Sequence, residues 1–334
     1  MTIHKTDIVV IGAGPAGLFS VFEAGMLKMK CHVVDTLDFI GGQCAALYPE
    51  KPIYDIPAHP SILAGDLIAK LEEQIKPFEA TFHLGQRVEK VENLEDKTLR
   101  ITTSNNIVIE TKAILIAAGC GAFGHNRPPL ANIEEYENKS VFYLVKNRSQ
   151  FAGKNVAIAG GGDSAVDWAI SLSSVANKVY VIHRRDKFRC APESAERLKQ
   201  LSSEGKVEMV TPCQLEGLKG ENGQLEKVIV KDFSGNVREL DANILLPFFG
   251  LAMELGPIAN WGLNLNKNLI EVDFTTMKTS EDGIFAIGDI AHYQNKLKLI
   301  LSGFAEAATA CHAIFPIVKP DEILHFEYST SKGV

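Results

Sequence analysis

The sequence predicts an α/β fold made of two Rossmann-like dinucleotide-binding domains, each in three layers (ββα). Three observations carry this reading. An apolar strand runs into Gly12-Ala13-Gly14-Pro15-Ala16-Gly17 and then into a helix, and the same pattern returns at Gly160-Gly161-Gly162-Asp163-Ser164-Ala165. Two later segments, 114–119 and 283–289, read as buried strands that end in small residues.

Composition narrows the class. The chain has 334 residues, 46% apolar and 22% charged, which is enough for two hydrophobic cores and typical of a globular protein. A net charge of −7 argues against nucleic-acid binding, which rests on phosphate contacts. Six residues precede the segment taken as the first strand, too few for a signal peptide, and no apolar run is read as reaching bilayer length, so a cytoplasmic location without a membrane is expected. The cysteines stand at 31, 44, 120, 190, 213 and 311, with no CxxC. Neither a redox dithiol of that type nor a zinc ribbon is encoded, no metal site is expected, and most of the thiols read as small buried hydrophobes.

The elements follow in order. Ile8 to Ile11 form a buried strand; Gly12 permits the tight turn, Gly14 lets a pyrophosphate approach, and Gly17 lets helix and strand pack closely. A second strand, Cys31 to Val34, ends in Asp35, 23 residues after Gly12, where a carboxylate holds ribose hydroxyls. The segment 39–55 is dense in Gly and Pro and reads as a loop with a short helix, offering Gln43 to a flexible cofactor chain and Tyr48 as a surface for a flat ring or for plain packing. Residues 62–75 have helical spacing, and 87–91, 99–103 and 107–110 alternate as an antiparallel meander.

The chain then crosses a Gly- and Pro-rich connection with a strand expected at 140–144, before the second glycine loop. At the offset that matches Asp35 stands His183, followed by Arg184, Arg185 and Arg189. Guanidiniums there favour a 2′-phosphate and so NADP(H) over NAD(H); the competing reading is a solvated basic run. Segments 207–210, 227–230 and 244–246 read as a second meander with a closing strand, and a helix begins after 301–303 with Phe304, Ala307, Ala308 and Cys311 on one side.

Taken in order, these five motifs resemble the two-dinucleotide flavoproteins that include thioredoxin reductase, over nearly the whole chain. Thioredoxin reductases carry a CxxC before the second glycine loop; here 140–148 has no cysteine. With Gly41-Gly42-Gln43, the run 46–51, the stretch 256–263 and the tail at 328–331, the sequence is more similar to the thioredoxin-reductase-like ferredoxin (or flavodoxin) NADP+ reductases. That resemblance implies a thioredoxin-reductase-like architecture, with an FAD-binding domain from 1–119 and 248–318, an NADP(H)-binding domain at 120–247, and a tail at 319–334 covering the flavin in a homodimer. FAD is then held by Gly12, Gly14, Pro15, Ala16, Gly17, Asp35, Gln43, Tyr48, Val88, Phe123 and Asp289, with Tyr328, Ser329 and Thr330 from the tail. NADP(H) is held by Gly160, Gly162, Asp163, Ser164, Ala165, His183, Arg184, Arg185 and Arg189.

The resemblance implies an NADPH-dependent oxidoreductase that receives a hydride directly on FAD and passes single electrons to ferredoxin or flavodoxin. No catalytic acid, base or nucleophile is needed, and Tyr48 and Tyr328 stack on the two flavin faces. Lys146, Arg148, Lys296, Lys298 and Lys332 are candidate contacts for an acidic partner. Two alternatives differ in chemistry: a flavin-thiol peroxidase or disulfide reductase using Cys44, although Pro49 stands where the second cysteine is expected, and a non-catalytic NADP(H)-sensing flavoprotein.

Overall fold

A computed structural model describes residues 3–119, 121–145 and 147–324, with backbone alone at 122–125 and 251–253. The chain divides into two units, one formed by 1–123 with 253–334, the other by 124–252. Each division falls a few residues beyond the breaks expected at 119/120 and 247/248.

In the first unit a five-stranded parallel sheet runs in the order Ile284–Ala286, Ala113–Ile116, Ile8–Ile11, Cys31–Val34, Thr81–His83. Alternation of side chains splits its strands between two cores. Ile8, Val10, Val33, Leu115 and Phe285 face one way, where helices Pro15–Met26, Ala64–Ile75 and Ile300–Val318 bury their apolar sides. Val9, Ile11, Val34, Ile114 and Ile116 face the other way, against Val88, Leu99, Ile101 and Ile109. The latter belong to a sheet of Ile3–Lys5, Val108–Thr111, Leu99–Thr103 and Val88–Asn93, antiparallel except where Ile3–Lys5 runs parallel to Val108–Thr111. The result is the three-layer ββα arrangement.

The second unit repeats the plan. Its parallel sheet runs Val207–Val210, Lys178–Ile182, Asn155–Ala159, Ile244–Pro247. A meander of Cys213–Glu221, Gln224–Asp232 and Val237–Asp241 supplies Leu225, Val228, Val230 and Leu240 to a core shared with Ala157, Tyr180 and Leu245.

Several sequence expectations are corrected. Val207–Val210 pairs parallel with Val179 to Ile182 and belongs to the nucleotide-type sheet, not to a meander. Two meander strands were unread because Gly217 and Gly220 interrupt the first at its register shifts and the other is mostly exposed and charged. Residues 140–144 form no strand; Val141 makes an isolated bridge to Leu245. Residues 62–63 pair with Pro52–Ile53, so that helix starts at Ala64, whereas the last helix starts at Ile300, before the expected position.

One run does reach bilayer length: Ile300–Val318 has 19 residues and a mean hydropathy of 1.3 over its best window. It is nevertheless a core helix, with Glu306, Ala307, Ala310, Cys311 and Ile314 buried in the first unit.

Candidate dinucleotide sites

At the carboxyl ends of the first parallel sheet the strand order reverses between Ile8–Ile11 and Ala113–Ile116, the place where such sheets open a crevice. Gly12 turns there with φ +111°, and a Cβ on it would lie 2.4 Å from the Ala117 carbonyl oxygen. A Cβ on Gly17 would lie 1.9 Å from the Gly12 oxygen, so only glycine lets helix Pro15–Met26 sit this close to its strand. Gly14, by contrast, faces space, with Gly42 Cα the nearest atom at 3.9 Å. The helix has Gly14 as its N-cap and no side-chain cap, so its first N–H groups are left to a ligand anion.

Asp35 follows the next strand and lines the cleft. Its carboxylate accepts the Ala13 N–H at 2.5 Å and the Leu37 N–H at 2.8 Å. Burial raises its pKa above the ordinary carboxylate value, opposed by those N–H donors. Asp35 therefore braces the glycine loop as well as facing the cleft. Asp289 reaches the cleft from the short turn Gly288–Ile290 and has no hydrogen bond or ion pair to a described residue.

Gly12, Gly14, Pro15, Ala16, Gln43, Tyr48 and Val88 line the same cleft. Gly17 lies behind it, at the strand-helix contact. Gln86, Arg87, Leu255 and Trp261 also line it and had no role assigned from sequence, and Lys298, expected only as a partner contact, lines it too. The indole Nε1 of Trp261 is buried without a hydrogen-bond partner. Trp261 lay within the stretch 256–263 that carried the resemblance, so its signal was present but unread. The side chain of Phe123, and Tyr328, Ser329 and Thr330, lie outside the described residues.

Cys44 is buried against this cleft, its thiol directed at the Tyr48 hydroxyl at 3.9 Å. Burial pushes its pKa up to about 11, which keeps it protonated near neutrality and a poor nucleophile.

The second glycine loop has different surroundings. A Cβ on Gly160 would meet the Phe248 oxygen at 2.6 Å, and one on Gly161 would lie 2.1 Å from His183 Cε1. Gly162 is the uncapped N-cap of helix Asp163–Leu172; Ser164 is exposed in its first turn and Ala165 is buried. The Arg189 N–H donates to the Gly161 oxygen at 2.7 Å, which brings the basic segment back to the loop. Arg184, Arg185 and Arg189 are exposed and carry no ion pair among the described residues.

His183 differs from this trio. It is 8% exposed, its ring lies 5.2 Å from that of Phe188, and Nε2 has no hydrogen-bond partner among the described residues. Burial first, then the Arg184 charge, lowers its pKa. It forms the floor of the loop in its neutral state, and the positive charge comes from the arginines. Asp163 accepts the Ala191 N–H at 3.0 Å and so ties the loop to the start of the next helix.

One of the candidate partner contacts is withdrawn. Lys296 is buried in an ion pair with Glu306 and is unavailable to an acidic partner, whereas Lys298 is exposed at the cleft. Arg148 is exposed; Lys146 and Lys332 lie outside the described residues.

Comparison with known proteins agrees with this geometry. The pyridine nucleotide-disulphide oxidoreductase family matches residues 6–310. A ferredoxin–NADP reductase of Rickettsia akari is 58% identical over 330 residues, covering 99% of this chain and 98% of its own. One from Rhodospirillum rubrum is 59% identical over 333 residues, covering 99% and 96%. Among solved structures, the thioredoxin reductase of Lactococcus lactis superposes with a TM-score of 0.82 at 26% identity, covering 94% of this chain and 99% of its own. The chain belongs to the pyridine nucleotide-disulphide oxidoreductase family and, within it, to the ferredoxin–NADP reductases of thioredoxin-reductase-like fold.

Proposed function

We propose that the chain carries electrons from NADPH, by way of FAD, to ferredoxin or a flavodoxin. One observation carries the reading: a single chain holds two glycine loops of opposite character, one beside the carboxylates Asp35 and Asp289, the other beside three guanidiniums that are unpaired among the described residues. Carboxylates suit ribose and polyol hydroxyls, and guanidiniums suit a 2′-phosphate. The first cleft fits FAD: Gly14 leaves open space that a Cβ would enter, the helix start beside it has no side-chain cap, and the buried indole N–H of Trp261 on the cleft wall is unpaired among the described residues. When bound, FAD takes two electrons together and releases them singly.

The chain's own part is to hold and orient. Gly12, Gly14, Pro15, Ala16 and Gly17 would seat the pyrophosphate, Asp35 the ribose, Asp289 and Gln43 the polyol chain and ring edge, and Val88 an apolar side, to which the resemblance adds Phe123. Tyr48 would cover one ring face, and the resemblance assigns the other to Tyr328, with Ser329 and Thr330, which lie outside the described residues. Gly160, Gly162, Asp163, Ser164, Ala165 and His183 shape the second loop, and Arg184, Arg185 and Arg189 select NADPH. No side chain needs to give or take a proton. The absence of CxxC removes the dithiol route of that type, and burial, which pushes the Cys44 pKa up to about 11, disfavours the thiolate that the thiol alternative needs. A cytoplasmic homodimer is part of the same reading, supported by free thiols at all five described cysteines for the reducing compartment.

The test is to follow NADPH oxidation by the purified FAD-loaded protein while adding ferredoxins and flavodoxins singly. Turnover with at least one of them and little with NADH is expected; no turnover with any one-electron acceptor would overturn the reading in favour of a sensor.

A further inference from the structure

Helix Ile300–Val318 buries a single carboxylate, that of Glu306, which is 3% exposed. Its Oε2 accepts the Gly288 N–H at 2.7 Å, and its Oε1 accepts the Tyr293 hydroxyl at 2.7 Å and the Lys296 ammonium. The Lys296 side chain is itself only 6% exposed. Taking both charges out of water cancels most of their mutual attraction, so such a pair is poorly explained by stability alone.

What the pair holds is a turn. Gly288 takes φ +72° and opens Gly288–Ile290, the turn that sends Asp289 into the cleft. Gly303, one helical turn before Glu306, lets the helix pack close to the first glycine loop: a Cβ there would lie 3.2 Å from Ala16 Cβ, with Gly288 Cα at ordinary contact distance, 3.8 Å. Asp289 makes no bond of its own to a described residue. Its place is set by the backbone at Gly288, and the Gly288 N–H is held by Glu306.

We propose that Glu306, charge-balanced by Lys296 and steered by Tyr293, is a positioning residue that aims Asp289 at FAD. The inference rests on reading the cleft as the FAD site. It is tested by titrating FAD into the apoprotein of wild type, Asp289→Ala, Glu306→Gln and the double variant, following flavin fluorescence and the visible absorption spectrum, with the apoprotein melting temperature as control. Each single change is expected to weaken FAD binding about tenfold, as for loss of a charge-assisted hydrogen bond, with the double variant no weaker than the worse single and the same spectral shift in all three. Wild-type affinity in Glu306→Gln, or a double variant weakened by the product of the two singles, overturns the inference while leaving the FAD site standing. Wild-type affinity in Asp289→Ala overturns the reading of the cleft, and this inference with it. Should Glu306→Gln fail to fold, Lys296→Met with Glu306→Gln removes both charges and is judged by the same criteria.

Discussion

Arg184, Arg185 and Arg189 are three guanidiniums without counter-ions among the described residues, on a protein of net charge −7. Such charges stay unpaired at little cost only on a surface, and a ligand phosphate brings them several charge-assisted hydrogen bonds. Arg184→Ala is therefore expected to raise KM for NADPH roughly tenfold while leaving KM for NADH and kcat unchanged, as steady-state kinetics with both nucleotides will show. At this scale much of the site was legible. Gly12, Gly17, Gly160 and the arginines stand at fixed offsets in sequence because backbone sterics and phosphate geometry dictate them. His183 was expected beside the arginines as a nucleotide contact, and its burial was not legible, since the packing of its ring over Gly161 and against Phe188 appears only in the fold. Glu306 and Lys296 gave no signal, because an ion pair ten residues apart on a loop and a helix looks like two surface charges until the helix is docked.

Among the elements, strands Ile3–Lys5, Cys31–Val34 and Thr81–His83 bring three imidazoles together. His32 Nδ1 and His83 Nε2 lie 3.0 Å apart, and the His4 ring centroid is 5.8 Å from that of His32 and 5.5 Å from that of His83. Burial, then the nearby charges of His83 and His4, lowers the His32 pKa to about 4, and His83 is lowered as well. An unfolded histidine takes up its proton near pH 6.5. Below that pH the unfolded chain binds more protons than the folded one, so stability is full above about pH 6.5 and falls as the pH drops toward 4. Melting temperature measured across that range should decline in wild type and decline less in His32→Gln. Element type was mostly readable, because buried strands such as Ile8–Ile11 and Asn155–Ala159 are continuous apolar runs. Sheet membership was not: Val207–Val210 is a short strand whose partners lie outside any local window.

On the scale of the whole molecule, the second unit is self-contained. It has its own sheet, its own core around Ala157, Val228 and Leu245, and ends tied together where the Asn126 N–H donates to the Gly250 oxygen at 3.3 Å. A fragment of residues 124–252 is expected to fold alone and to bind 2′-phosphorylated adenine nucleotides over their unphosphorylated forms, by circular dichroism and calorimetry. Residues 1–123 alone are expected to stay unfolded or aggregate, since strand Ile284–Ala286 and helix Ile300–Val318 are missing from them. That two such units exist was legible from the repeated glycine loop.

The discontinuity of the first unit has a consequence for how the protein is made. Its sheet waits for a strand at 284–286 and its helical layer for residues up to 318, so this unit stays open on the ribosome while everything between has already emerged. The inserted unit can close as soon as its strand at 244–247 clears the exit tunnel. Assembly during synthesis thus runs from the middle outward, with the guanidinium-lined loop formed before the carboxylate-lined one, and a ribosome stalled before residue 284 leaves a chain that has only the former.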